Sequence, residues 1–246
     1  PSIGFVIFGV AGNVSISKLF MAGIVPGVLL GGSLWITWWW LARQEVVEVP
    51  PRKSFGEISV ALREATWALV LPVIVVFGLK FGVFTPTEAA VVAAVYALLI
   101  STFVYKELNF KSLYPLFVAS AKTSAIVMFL VAAAMVSAWL ITVANLPAEL
   151  IVLLEPLLDS PKLLMLTIMV ITMVVGTALD MTPTILLLTP VLMPVIKAAG
   201  IDPVYFGVLF IINNAIGLIT PPVGTVLNAV AGVGKVSMDE VTRGVM

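Results

Sequence analysis

Asp180 is the acid that sits deepest in apolar sequence, between the runs Leu163–Val175 and Thr184–Ala198. A carboxylate inside a membrane is costly to bury, which makes it a functional candidate by default; a helix-capping Asp at a chain turn is the compatible alternative. Around it runs Gly176-Thr177-Ala178-Leu179-Asp180-Met181-Thr182-Pro183. A turn at Gly176 and Thr177 frees backbone carbonyls at a helix C-terminus, hard oxygen donors suited to a monovalent cation such as sodium. Thr182 before Pro183 opens a helix whose N-terminus favours an anion. A second break follows at Thr220-Pro221-Pro222-Val223-Gly224. Pro221 and Pro222 donate no backbone hydrogen bond, so carbonyls from Gly217 to Thr220 lose helical partners, and those of Ile219 and Thr220 become cation candidates. Thr220 adds a hydroxyl, Gly224 allows close backbone approach, and Asn228 lies one turn further on. Asn213 and Asn214 are amides in an apolar helix, open to ligand contact or to bonding between helices.

The positioning elements follow from composition. Hydrophobic residues are 61% of the 246 and charged residues 11%, with mean hydropathy +1.18. That is the balance of an all-α polytopic membrane protein, and the bilayer is its first partner. Thirteen basic residues offset thirteen acidic ones, so no nucleic-acid partner is expected. The absence of Cys and His excludes disulfides, thiolate or imidazole metal sites and His-based triads in this chain. No cofactor is expected, and sodium enters only as a coupling ion. Pro1 brings neither an initiator Met nor a basic leader, and the chain reads as a fragment.

Apolar runs at Phe20–Ala42, Ala65–Phe84, Thr87–Val104 and Ser120–Ala144 are each near the ~20 residues a spanning helix needs. Trp35, Trp38, Trp39 and Trp40 before Arg43 form an interfacial anchor. Between Arg43 and Glu64 the chain is polar, interrupted by Pro50-Pro51, and Ser54-Phe55-Gly56-Glu57 has capping-box spacing before a short interfacial helix or loop. Pro72 is placed to kink the next span. Thr85-Pro86-Thr87-Glu88 is another cap, which favours a structural role for Glu88. A second amphipathic stretch near Lys106, Lys111 and Lys122 leads into the following span, and Pro147–Asp159 rests at the opposite surface. The two segments flanking Asp180 are only ~20 Å long as helices, which predicts a re-entrant hairpin whose non-helical tip, Gly176 to Pro183, is buried near the bilayer centre.

If Lys18 lies on one side, span parity leaves four basic residues there (Lys18, Lys80, Lys162, Lys197) and nine on the other, which is therefore cytoplasmic. Pro1–Gly12 aligns without gaps on Pro221–Gly232, with Pro1, Gly4, Val6, Val10, Ala11 and Gly12 matching. The copies leave the membrane on opposite sides, the mark of an inverted repeat. On this reading the two segments are equivalent halves of broken helices, and Ser2 and Gly4 approach Thr220 and Gly224. The domain reading takes residues 1–19 as the second half of the first broken helix and 20–159 as scaffold. Residues 160–235 are then hairpin plus second broken helix, and 236–246 the start of a C-terminal segment.

Gly176 to Asp180, Thr189–Pro194, Gly200–Gly207 and Gly217–Gly224, with Thr85–Ala89 and the opening Pro1-Ser2-Ile3, resemble the large membrane subunit of the tripartite ATP-independent periplasmic (TRAP) transporters. The resemblance covers essentially the whole chain. It implies an inverted-repeat, elevator-type fold with a re-entrant hairpin and broken helices. It also implies sodium coupling, an organic acid substrate, a periplasmic substrate-binding protein and a small membrane subunit, in a bacterial or archaeal cytoplasmic membrane. Relative to that family the chain lacks the first hairpin and the start of the first broken helix, and stops before a final span. A one-component divalent-anion sodium symporter is the alternative of the same class; an integral-membrane enzyme or a channel are alternatives of another.

Overall fold

The computed structural model describes residues 2–43, 51–221 and 224–245; Pro1, Pro50, Pro222, Val223 and Met246, on which parts of the sequence reading rest, lie outside them. The described residues form helices only. In order they are α1 (Ile3–Gly12), α2 (Ile16–Ala42), α3 (Phe55–Lys80), α4 (Pro86–Leu99), α5 (Phe110–Val143) and α6 (Leu146–Leu158). Then come α7 (Pro161–Gly176), α8 (Met181–Ala198), α9 (Pro203–Leu218), α10 (Thr225–Gly234) and α11 (Met238–Val245). A π-helical turn, Ile100–Val104, extends α4. Among the described residues five helical stretches are long and apolar enough to cross a membrane, so the all-α polytopic fold stands.

The expected interfacial helix before Ala65 is the first part of α3, which runs unbroken from Phe55 to Lys80. Ser54 accepts from the Glu57 N–H while the Glu57 carboxylate accepts from Ser54, a closed capping box. Beyond it no residue stops the helix, for Pro72 is tolerated in the interior. Polarity changes at Glu64 and Ala65; helicity does not. α5 is continuous in the same way, absorbing the stretch expected to be separate near Lys111. Glu88 caps α4, accepting from the Thr85 N–H at 2.7 Å and hydroxyl at 2.8 Å, so its structural reading holds.

By compactness the chain forms two units, Pro1–Gly23 with Lys122–Met246, and Ile24–Ala121. The division read from the sequence, 1–19, 20–159, 160–235 and 236–246, is one of functional parts and is a different question from compactness. In the first unit α1 packs on α8 and α9 around a buried aromatic cluster. The Phe8 ring lies 5.9 Å from Phe206 and 5.8 Å from Phe210, and Gly207 leaves the room a side chain would take from Phe8. Asp202 starts α9 by accepting from Val204 and Tyr205 N–H groups at 2.8 and 2.9 Å.

In the second unit α3 and α4 form an antiparallel pair closed by Phe84, which fills the space left by Gly78. Tyr96 and Tyr105 hydroxyls each donate to a carbonyl of α3, at Trp67 and Glu64, both at 2.8 Å. The Trp35–Trp40 cluster is exposed, and Arg43 lies 3.5 Å over the Trp39 ring, the arrangement of a headgroup anchor.

Candidate functional site

Helix α7 ends at Gly176 because the next three residues turn rather than continue: Ala178 and Leu179 N–H groups both fall back on the Val175 carbonyl, at 3.1 and 3.0 Å. Asp180 then takes extended backbone (φ −67°, ψ 162°) as N-cap of α8. The tip is thus Thr177–Asp180, narrower than expected, and α8 begins at Met181 rather than at Thr184. With 18 residues α8 reaches the length of a candidate span, whereas α7, with 16, stays short.

The second break opens at Ile219. Its N–H and that of Thr220 fold back on Ile216 and Gly217 carbonyls, at 3.2 and 3.0 Å. The Gly217 carbonyl, expected to be freed by Pro221, is therefore taken up locally. Carbonyls of Ile219 and Thr220 receive no N–H from the described residues, and neither does that of Gly176. Pro221 is half-buried; Pro222 lies outside the described residues. Gly224 adopts φ +45°, ψ 87°, which an L side chain rarely takes.

The two breaks lie side by side. The Gly224 N–H donates to the Thr177 carbonyl at 3.2 Å, and the Thr225 hydroxyl donates to Asp180 Oδ1 at 3.3 Å. Beneath them Gly176 and Gly217 cross closely. A Cβ on Gly217 would stand 3.0 Å from the Gly176 backbone, and one on Gly176 would stand 3.0 Å from Asn214 Oδ1. Asn214 is fully buried; its Nδ2 is 3.5 Å from the Met181 carbonyl, and its Oδ1 has no hydrogen-bond donor among the described residues. Asn213 bonds between helices, donating to Met169 at 2.7 Å.

The remaining candidates are more dispersed. Asp180 is exposed, without a side-chain capping bond, and Thr182 is half-buried in the first turn of α8. The Thr177 and Thr220 hydroxyls each donate to their own helix, at Val174 (2.8 Å) and Ile216 (2.7 Å), which leaves only their lone pairs for a cation. Asn228 is exposed, its N–H on the Gly224 carbonyl at 3.2 Å. Ser2 caps α1 by accepting from Phe5 N–H at 3.4 Å. Gly4 is buried against Met181 and Ile211, so it packs beside the first break and on α9. Sequence reasoning missed Thr225, whose signal was a hydroxyl in the residue directly after the Gly224 break. Thr189 is buried, and its hydroxyl oxygen has no partner among the described residues.

Backbone carbonyls and threonine hydroxyls thus lie along the two breaks, beside the Asp180 carboxylate. Among the described residues no cluster of three His, Cys, Asp or Glu exists. The whole sequence, residues 1–246, matches the family described as Tripartite ATP-independent periplasmic transporter, DctM component. It is 54% identical over 245 residues to the 2,3-diketo-L-gulonate TRAP transporter large permease protein YiaN of Escherichia coli, covering 100% of this chain and 58% of that protein. It is 37% identical over 246 residues to the sialic acid TRAP transporter large permease protein SiaM of Vibrio cholerae, covering 100% and 58%. Identity is also 37% over 235 residues with the C4-dicarboxylate TRAP transporter large permease protein DctM of Pseudomonas aeruginosa, covering 94% and 55%. The chain thus spans a little over half the length of these relatives.

Proposed function

We infer the function from one premise: this chain belongs to the DctM component family of the tripartite ATP-independent periplasmic transporters. The family is one of transporter components, not of enzymes. On this reading the chain is part of the large permease subunit of a secondary importer, a multi-pass protein of a bacterial inner membrane. It carries an organic acid handed over by a periplasmic substrate-binding protein and works beside a small membrane subunit. The carboxylates in the relatives' names, 2,3-diketo-L-gulonate, sialic acid and C4-dicarboxylates, set the substrate class, and the first is the compound to try first.

The observation that carries the ion-coupled part is the junction of the two breaks, Gly224 N–H on the Thr177 carbonyl and Thr225 on Asp180. Sodium is held by carbonyls of Gly176, Thr177, Ile219 and Thr220, with hydroxyl lone pairs of Thr177 or Thr220. The substrate carboxylate is drawn to the helix N-termini at Met181–Thr182 and Gly224–Thr225, with the Asn214 amide beside Met181 and Asn228 one turn beyond Gly224. Pro221 and Pro222 keep the second break from winding into helix. Ser2 and Gly4 belong to the opposing half-site of the inverted repeat. Binding in both breaks together couples ion to substrate, and an elevator movement of the hairpin-bearing domain exposes the site to each side in turn.

The test is uptake by the reconstituted full-length transporter with its partner subunits. Uptake of 2,3-diketo-L-gulonate should need both an inward sodium gradient and the loaded binding protein. Equal uptake with choline replacing sodium would overturn the coupling. Full uptake without the binding protein would favour the one-component symporter, and uptake that continues after the gradients have collapsed, at channel rates, would favour a pore.

A further inference from the structure

Far in sequence from the paired breaks, α3 and the turn that follows α4 flank an open cavity. It is lined by Val60, Arg63, Glu64, Trp67, Val104 and Tyr105 and has a volume of about 630 Å³. Its depth in the bilayer is readable from both helices. On α3 no charge occurs between Glu64 and Lys80, and a mainly apolar run begins at Ala65, while the apolar run that α4 begins ends at Val104, before Tyr105, Lys106 and Glu107. The cavity therefore straddles the boundary between headgroups and hydrocarbon, where Trp and Tyr are favoured.

Its shape depends on the π-helical turn Ile100–Val104, closed by Tyr105 N–H on the Ile100 carbonyl at 3.0 Å. A π turn inserts a residue and re-aims the side chains beyond it, and such turns recur at functional sites. Here it brings the Tyr105 hydroxyl to the Glu64 carbonyl at 2.8 Å, which fixes the ring as one wall. Arg63 and Glu64 then present opposite charges to one cavity. As successive residues on a helix they do not face each other, and among the described residues neither forms an ion pair.

We propose that this cavity binds a phospholipid with a zwitterionic phosphate–ammonium headgroup, phosphatidylethanolamine by its chemistry. The phosphate lies on the Arg63 guanidinium, whose planar fork suits it. The ammonium lies beside the Glu64 carboxylate and the Tyr105 ring, a favourable cation–π position. Acyl chains run down the cavity's own face of α3, from Trp67, which is 48% exposed, toward Leu71 and Ile74, each half-buried. An anionic lipid without the ammonium would leave Glu64 facing a second negative charge, and a soluble headgroup would leave that face uncovered.

Native mass spectrometry of the detergent-purified, delipidated protein tests this, with phosphatidylethanolamine, phosphatidylglycerol and soluble phosphoethanolamine added separately. One phosphatidylethanolamine should be retained at least about tenfold more tightly than phosphatidylglycerol, and phosphoethanolamine should not be retained. Arg63→Gln should weaken retention by about tenfold or more, Arg63→Lys should restore part of it, and Glu64→Gln should narrow the difference between the two lipids. Both positions are exposed, and unchanged helical circular dichroism confirms that the variants fold. Equal retention by Arg63→Gln, equal retention of the two lipids by the unmodified protein, or binding of the soluble headgroup would each overturn the proposal. So would Arg63→Gln releasing a co-purified small membrane subunit while lipid retention is unchanged, since the cavity would then be a protein seat.

Discussion

Asp180 and Thr225 share a hydrogen bond of 3.3 Å across two chain breaks that are 45 residues apart. The acid was legible in the sequence, as a charge in apolar surroundings; its partner was not, because nothing local to Thr225 points to a residue so distant. Asp180→Asn keeps size and removes charge, and should lower uptake by at least about tenfold with expression intact. Wild-type uptake would return Asp180 to its place as N-cap of α8. Thr225→Val should cost only about 0.5–1.5 kcal/mol, the worth of one hydrogen bond, measured as a small fall in melting temperature in detergent. Thr220→Ala tests a different atom. Its hydroxyl already donates to Ile216 at 2.7 Å, so only a lone pair remains for sodium. A raised sodium half-saturation with unchanged maximal uptake is expected, and an unchanged sodium response would remove that hydroxyl from the ligand set while the carbonyls stay.

Helices α7 and α9 meet where Gly176 and Gly217 face each other, and this crossing holds the breaks together. Gly217→Ala places a Cβ 3.0 Å from the Gly176 backbone, where no flexible side chain can give way. It should destabilise by about 1–3 kcal/mol, readable as a lower melting temperature. Unchanged stability and sodium dependence would show that the crossing has slack. Both breaks were legible, since Gly, Asp and Pro interrupt helices by local chemistry, and so were the caps at Ser54–Glu57 and Thr85–Glu88. The run of α3 through Glu64 was not, because a polarity change marks where the bilayer ends and has no bearing on where the helix does. The seat of Gly4 on Met181 and Ile211 was equally hidden, since it is set by the packing of α1 on α8 and α9.

At the scale of the molecule, α1 and α10 are each ten residues long and end alike. Asn13 and Lys235 take left-handed backbone, at φ 51° and 53°, and the next N–H, of Val14 or Val236, closes on Gly9 or Ala231. The caps lie 222 residues apart, two more than the 220 that align Pro1–Gly12 on Pro221–Gly232, so the shared ending is out of register with that alignment and the repeat rests on the sequence matches. The transport reading needs more than this, namely that both breaks of the second half-site bind one sodium. Because the chain has no cysteine, single reporters can be placed beside the carbonyls without altering them, as Ala178→Cys and Ile219→Cys. Both positions are exposed. The deciding measurement is the rate of thiol labelling at each, in full-length transporter freed of any cysteine elsewhere, with sodium or choline at equal ionic strength. Sodium should slow labelling at both positions with one shared half-saturation; equal rates in sodium and choline, or protection at only one position, would contradict a cation site shared by the two breaks.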